Sequence, residues 1–495
     1  MDILSLLVAV PVLTVLVLFF INDNQLVRII SALGIGIETL LTLFITKSYL
    51  AERQAGNAAE FLFTRDTVWF EPMNIHYFVG VDGISVAMLL LTAIVLLAGV
   101  FISWNIEDLT KEFYISLIVL GTGVFGFFIA LDLFTMFLFY EVAVIPMYLL
   151  IGIWGTGPKE YAAMKLTLML MGASAILLVA ILGIYYYSGM TFNMQEIAQM
   201  QMPIHAQRFF FPLAFVGFGV LGALFPFHTW SPDGHASAPT AVSMLHAGVL
   251  MKLGTYGAFR VAMYLMPQAA HEYSTFFMGV AAIGVIYGAF GAIRQTDLKY
   301  INAYSSVSHL GLIFFGMMAL NKIGYTGAVL QMISHGLMTA VFFALIGMLY
   351  SRTHTRDVTK MGGLLKILPF IAVVYVIIGM ASLGLPGLSG FVAEMNIFVG
   401  AFQNPDFIHR AFSVLAVSAI VVTAVYILRV VGMMLMGPVK NDEFYKLPKA
   451  VWYERVGALL VLLPVIAIGV APMWLTTLIQ DSLGNIVEHL AAYGH

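Results

Sequence analysis

The chain has 495 residues, of which 61% are hydrophobic and 10% charged, with a mean hydropathy of +0.95 and a net charge of −3. A soluble chain of this length carries about 25% charged residues, so these values exclude a water-soluble globular protein. The small net charge and the lack of a basic cluster exclude nucleic acid as a partner. Without cysteine there are no disulfides, zinc thiolates or cysteine-ligated iron–sulfur clusters. The composition describes an all-α polytopic membrane protein lying in a lipid bilayer.

Apolar runs separated by short polar loops predict about 14 transmembrane helices, over 2–21, 26–46, 82–104, 112–131, 133–153, 161–187, 207–232, 240–266, 271–294, 299–319, 325–350, 364–403, 408–436 and 452–480. The first run lacks a basic leader and a cleavage motif, so it reads as a retained helix. The 364–403 run is too long for one straight span and must bend or break. Loops 188–206 and 437–451 have room for surface helices. With the N-terminus outside, the inner loops hold thirteen Lys and Arg residues and the outer loops six, which places both termini outside.

Two helices carry interruptions. The seventh contains Leu221-Gly-Ala-Leu-Phe-Pro226-Phe-His228-Thr-Trp230-Ser-Pro232-Asp233-Gly-His235, and the twelfth contains Gly384-Leu-Pro386-Gly387-Leu-Ser-Gly390 followed by Glu394. Proline removes a backbone donor and glycine frees the dihedrals, so both stretches should unwind. Helices five apart in order cross in opposite directions. The pattern therefore predicts two inverted five-helix repeats with broken helices at their centres. The expected divisions are 1–111 (helices 1–3), 112–270 (helices 4–8), 271–436 (helices 9–13) and 437–495 (helix 14).

Five ionisable side chains fall inside these apolar spans: Glu141, Lys252, His309, His335 and Glu394. A charge at the bilayer centre costs roughly 2.5–3.5 kcal/mol on insertion scales, so such a set reads first as a path for protons or ions. The plainer alternatives are a neutral hydrogen-bonded Glu, a lysine fixed to one carboxylate, and histidines that only pack. Two histidines on adjacent helices, each beside Ser308 or Ser334, favour a wet polar axis. Lys165, one turn inside the sixth helix, is a candidate partner for Glu141. Asp132 reads as a helix cap, and Glu38 stands alone in the second helix.

At these residues the chain resembles the antiporter-like membrane subunits of respiratory NADH–quinone oxidoreductase (complex I), in the branch called chain M in bacteria and chain 4 in mitochondria. The similar segments are Phe139-Tyr-Glu141 to Pro146, His228 to His235, Ala247 to Lys252, Arg294 to His309, Gln331 to His335, and Arg352 to Asp357. The resemblance implies a fourteen-helix fold, a gating role for Glu141, a hydrated axis of Lys252, His309 and His335, and a terminal proton site at Glu394, where sister subunits carry lysine. It implies a non-redox subunit of a translocase in a bacterial inner membrane. NADH, FMN, iron–sulfur clusters and quinone would belong to partner subunits, and hydrophilic subunits and sister antiporter-like chains would surround it. The family's lysine in the seventh helix is replaced by Leu221, so the Glu141 partner must differ or be absent; the candidates to supply the missing charge are Lys165, His228 and His246. The alternative readings are a subunit of a multi-chain cation/proton antiporter or membrane-bound hydrogenase, or a stand-alone solute transporter.

Overall fold

The computed structural model of the chain describes residues 2–493, and these are mostly helical. Helices α1 (Ile3–Phe19) and α2 (Asn24–Gln54) are followed by strands β1 (Leu62–Phe70) and β2 (Ile75–Val81), then α3 (Gly83–Ile102), α4 (Thr110–Ile129), α5 (Leu133–Trp154) and α6 (Lys159–Tyr187). Among the described residues, five α-helices are capped by an aspartate side chain. Asp2, Asp23, Asp82 and Asp132 accept backbone N–H bonds at the starts of α1, α2, α3 and α5, and Asp297 does so further along. Each cap satisfies a donor that the helix itself leaves open.

Next come the short surface helix α7 (Met194–Gln199), in the loop where one was expected, and α8 (Ile204–Leu221). The chain unwinds at Gly222 and resumes as α9 (Trp230–Ser237), as the proline and glycine content predicts. Trp230 ties the two pieces together, its indole N–H donating to Val220 O at 3.0 Å. The 240–266 run is one continuous segment in four parts: α10 (Thr240–Leu245), a π-helical stretch His246–Leu250, α11 (Met251–Gly257) and a second π-helical stretch Ala258–Met263. Wide π turns are rare and concentrate at functional sites.

The second half holds α12 (Pro267–Arg294), α13 (Leu298–Met317) and α14 (Lys322–Thr353), then the short α15 (Leu364–Ile367), α16 (Pro369–Ser382), α17 (Ser389–Phe402) and α18 (Phe407–Leu435). The over-long 364–403 run is broken between α16 and α17, as its length requires. The 452–480 run is also two helices, α19 (Trp452–Val470) and α20 (Met473–Tyr493). Pro472 stands between them and cannot donate to a continuing helix. The 437–451 loop holds a 3₁₀ turn over Asp442–Lys446 rather than an α-helix. Among the described residues ten helices are long and apolar enough to span a bilayer, and α1, α16 and α17 are shorter apolar helices.

The β-hairpin is the one departure from the expected all-helical pattern. Arg65 pairs with Val79 and Thr67 with Tyr77, and the chain turns through Glu71–Met73 and a left-handed Asn74. Helix α1 contacts the hairpin, and α20 contacts the start of α3 just after it. Ser5 Oγ donates to Tyr77 Oη at 3.2 Å, and Gly83 N donates to Ser482 Oγ of α20 at 2.8 Å.

Two helix pairs share one packing scheme. A side chain at Gly123 of α4 would meet the α5 backbone at Ala143, and one at Gly126 would meet the Phe139 ring; Gly288 and Gly291 of α12 face Ser308 and Tyr304 of α13 in the same way. Each member of the second set lies 165 positions after its counterpart. Gly123→Val and Gly288→Val should each cost about 1–3 kcal/mol through overpacking. Gly36→Ala, which meets no atom within 4 Å, should be neutral or slightly stabilising. Thermal unfolding of the detergent-solubilised assembly checks all three.

Candidate functional site: a buried row of acid–base groups

Lys252 sits on α11 between the two π stretches and is fully buried. Its Nζ donates to Ala247 O at 2.5 Å and meets His335 Nδ1 of α14 at 2.9 Å. No carboxylate stands between these two bases. A lysine–imidazole hydrogen bond holds a proton that can sit on either partner, so the contact is a transfer geometry as it stands. The His335 ring lies 5.3 Å, centroid to centroid, from that of His309 on α13, with planes 29° apart.

His309 connects the row to Glu394. Gln331 Nε2 lies 3.1 Å from its Nδ1, Ser382 Oγ lies 3.2 Å from its Nε2, and Glu394 Oε1 is 3.6 Å from Nδ1. Glu394 is 6% exposed and lies in α17, just after the break. Gly384, in the break, has φ +66°, and a side chain there would meet the Glu394 carboxyl. Glycine is therefore required twice over, by its backbone conformation and by the carboxyl lying against it. A cavity of about 10 Å³ lined by His309, Ser382, Glu394 and Thr423 has room for one water molecule at most. Ser305 and Tyr426 hydroxyls, 2.7 Å apart, continue the polar line beyond Ser382.

The first half is built differently. Glu141 on α5 is half-buried and, among the described residues, makes no ion pair; its Oε1 has no hydrogen-bond partner, and the Ser174 hydroxyl of α6 lies beside the carboxyl. Lys165 does not pair with it. Its Nζ binds Asp233 Oδ2 of α9 at 2.7 Å, and the Tyr300 hydroxyl donates to Asp233 Oδ1 at 3.2 Å. The expected Glu141–Lys165 pairing is thus replaced by a Lys165–Asp233 one, because the unwound segment carries Asp233 against α6. Leu221 is fully buried at the end of α8. His228 packs its ring against Phe225 and Tyr287 and lies apart from the row.

His246 opens the first π stretch, its ring 4.3 Å from His235 and 5.0 Å from Trp230. None of the four ring nitrogens of His235 and His246 has a hydrogen-bond partner among the described residues. Trp230 and Phe343 pack against these rings and make the pocket aromatic. Lys299, at the start of α13, is 5% exposed and donates to Ala238 O at the end of α9 at 2.6 Å. Sequence reading quoted His235, Asp233, Lys299 and Gln331 within motifs but gave them no role. For Asp233 and His235 the available signal was their place in the interrupted seventh helix. Among the described residues no group of three or more His, Asp or Glu side chains is arranged to hold a metal.

Residues 130–423 match the family described as NADH:quinone oxidoreductase/Mrp antiporter, TM. The chain is 36% identical over 443 residues to the NAD(P)H-quinone oxidoreductase chain 4 2 of Thermosynechococcus vestitus, covering 88% of this chain and 82% of that one. It is 31% identical over 492 residues to the NADH-quinone oxidoreductase subunit M of Rickettsia prowazekii, covering 98% and 99%. A chain of the respiratory complex I from Thermus thermophilus superposes with a TM-score of 0.89 at 24% identity, over 98% of this chain and 99% of that one.

The observed pairing has a thermodynamic signature. A double-mutant cycle on Lys165→Met and Asp233→Leu should return a coupling of about 1 kcal/mol in the stability of the solubilised assembly. The cycle on Lys165→Met and Glu141→Leu should return essentially none.

Proposed function

This chain belongs to the NADH:quinone oxidoreductase/Mrp antiporter transmembrane family, and we propose that it translocates protons as a non-redox, antiporter-like subunit of a bacterial NADH–quinone oxidoreductase. The observation that carries this reading is the row Lys252–His335–His309–Glu394. Four titratable groups from four helical segments are buried and each lies against the next. Packing histidines or a fixed lysine–carboxylate pair would not need such a sequence of contacts. In this reading electrons pass through hydrophilic partner subunits that hold FMN and iron–sulfur clusters and reduce quinone with NADH.

Within the chain, Lys252 and His335 share a proton, His309 passes it on, and Glu394 receives it beside the break between α16 and α17. Moving one charge through 100 mV costs about 2.3 kcal/mol. A change of proton affinity along the row is worth 1.36 kcal/mol per unit, so modest rearrangements suffice. We assign the supply of protons to Lys252 to the His235–His246 pair, since Lys165 is committed to Asp233. The constant 165-residue offset between packing contacts supports reading 112–270 and 271–436 as inverted repeats. The contacts of α1 with the hairpin and of α20 with the start of α3, with the basic bias of the opposite loops, support an outside position for both ends in the bacterial inner membrane.

Glu394→Gln and Lys252→Ala, placed in the assembled complex and reconstituted in liposomes, should slow proton transfer by about 10²-fold or more, the usual contribution of one positioned acid–base group. Uncoupled NADH oxidation should persist. Full pumping by both variants rejects the proposal, and full pumping by His246→Leu rejects the assigned supply route. Co-purification with iron–sulfur subunits separates this reading from a cation/proton antiporter subunit, which the family also contains.

A further inference from the structure

A large apolar groove lies away from the acid–base row. It measures about 740 Å³ and runs between α2, α3, α14, α19 and α20. That volume is within the range of small-molecule sites, about 300–1,000 Å³. Its walls include Leu43, Leu463 and Ala87, and Ile333 and Leu337 of α14 also line it. Residues two positions to either side of His335 point away from it on a helix, so one helix thickness separates the groove from the row.

Charge in the groove is confined to one place. Lys47 is the single charged residue among its lining, is exposed, and among the described residues makes no ion pair or hydrogen bond. With 31 residues, α2 is about 46 Å long, which exceeds a hydrocarbon core of about 30 Å. Lys47 lies eight residues, about 12 Å, from the α2 midpoint, just inside the edge of a core of about 30 Å and within snorkelling reach of the headgroups, and Leu43 lies one turn deeper. Trp474, an interface-type side chain with an apolar body and a polar edge, lines the groove beside it.

We propose that this groove is a binding site for an anionic phospholipid. Its acyl tail would lie along Leu43, Leu463 and Leu337, and its phosphate would meet the Lys47 ammonium. An apolar trough at this depth must be covered by hydrocarbon, and a lone cation at its rim complements one anionic head. The bound tail closes the back of α14, keeping water away from the helix that positions His335. The inference goes beyond proton translocation and rests only on the chain lying in a bilayer.

The assembled complex, purified in mild detergent, provides the test. Phosphatidylglycerol retained per complex is counted by native mass spectrometry for the parent, Lys47→Glu, Lys47→Arg and Leu43→Trp. Lys47→Glu should retain phosphatidylglycerol about fivefold less well, Lys47→Arg should match the parent, and Leu43→Trp should displace the tail. Delipidated parent complex should rebind phosphatidylglycerol in preference to phosphatidylcholine. Equal retention by Lys47→Glu and the parent overturns the proposal. So does a helix of a neighbouring subunit found seated in the groove of the whole complex. Pumping by Glu394→Gln and Lys252→Ala is read separately, so either reading can fail while the other stands.

Discussion

The structure is organised around a lysine side chain fully buried among apolar helices. In hydrocarbon every polar group must be satisfied from within the protein, and a lone ammonium there is costly. Lys252 meets that demand with one backbone carbonyl and one imidazole, not with a carboxylate. The choice of partner decides what the site does. A carboxylate would fix the charge as an ion pair, whereas a second neutral base leaves the proton free to exchange. The rest of the row then follows, because His335 needs a neighbour able to take the proton on, and His309 and Glu394 stand in line.

The same demand shapes the backbone. A carboxyl such as Glu394 is tolerated at depth because the chain unwinds next to it, offering polar atoms that a continuous helix would conceal. Gly384 permits both the turn and the close approach. On the other side, α11 is held between two π stretches, and a side chain at Gly254 would meet the backbone at Gly222, where α8 unwinds. Irregular backbone thus flanks both ends of the row, while the helix pairs α4–α5 and α12–α13 remain regular and tightly packed on their glycines. Rigid pairs around irregular centres let a proton site change its surroundings without the whole bundle moving.

Much of this was legible in the sequence. The apolar runs, the broken 364–403 and 207–232 segments and the residues Lys252, His309, His335 and Glu394 follow from hydropathy and from proline and glycine. Their charges stand out because the surrounding twenty residues carry almost none. Pairing was not legible. Lys165 has Glu141 and Asp233 as possible partners, and nothing in sequence spacing says that the unwound segment presents Asp233 to α6. The hairpin was missed because its strands, with Arg65, Asp66 and His76 among apolar residues, look like a polar loop between spans. His235 was missed as a site residue because ring stacking across segments leaves no periodic signal.

Leu221 makes the two halves chemically unequal. A first half-channel that works by opening and closing an acid–base pair needs a cation near Glu141. Here the buried seventh-helix position offers only hydrocarbon, and the nearest lysine of α6 is taken by Asp233. Among the described residues Glu141 therefore has no charged partner with which to trade charge. What the first half has instead is a pair of unsatisfied imidazoles, His235 and His246, on either side of the turn between α9 and α10. A buried imidazole nitrogen without a hydrogen-bond partner is costly, so groups that supply partners to these two rings would stabilise the pocket. Protonation, or water admitted beside the π stretch, would supply those partners, and either event would act on Lys252 one and a half turns away. In the proposed reading the charge missing at Leu221 is replaced by an imidazole on the same helical segment that carries Lys252.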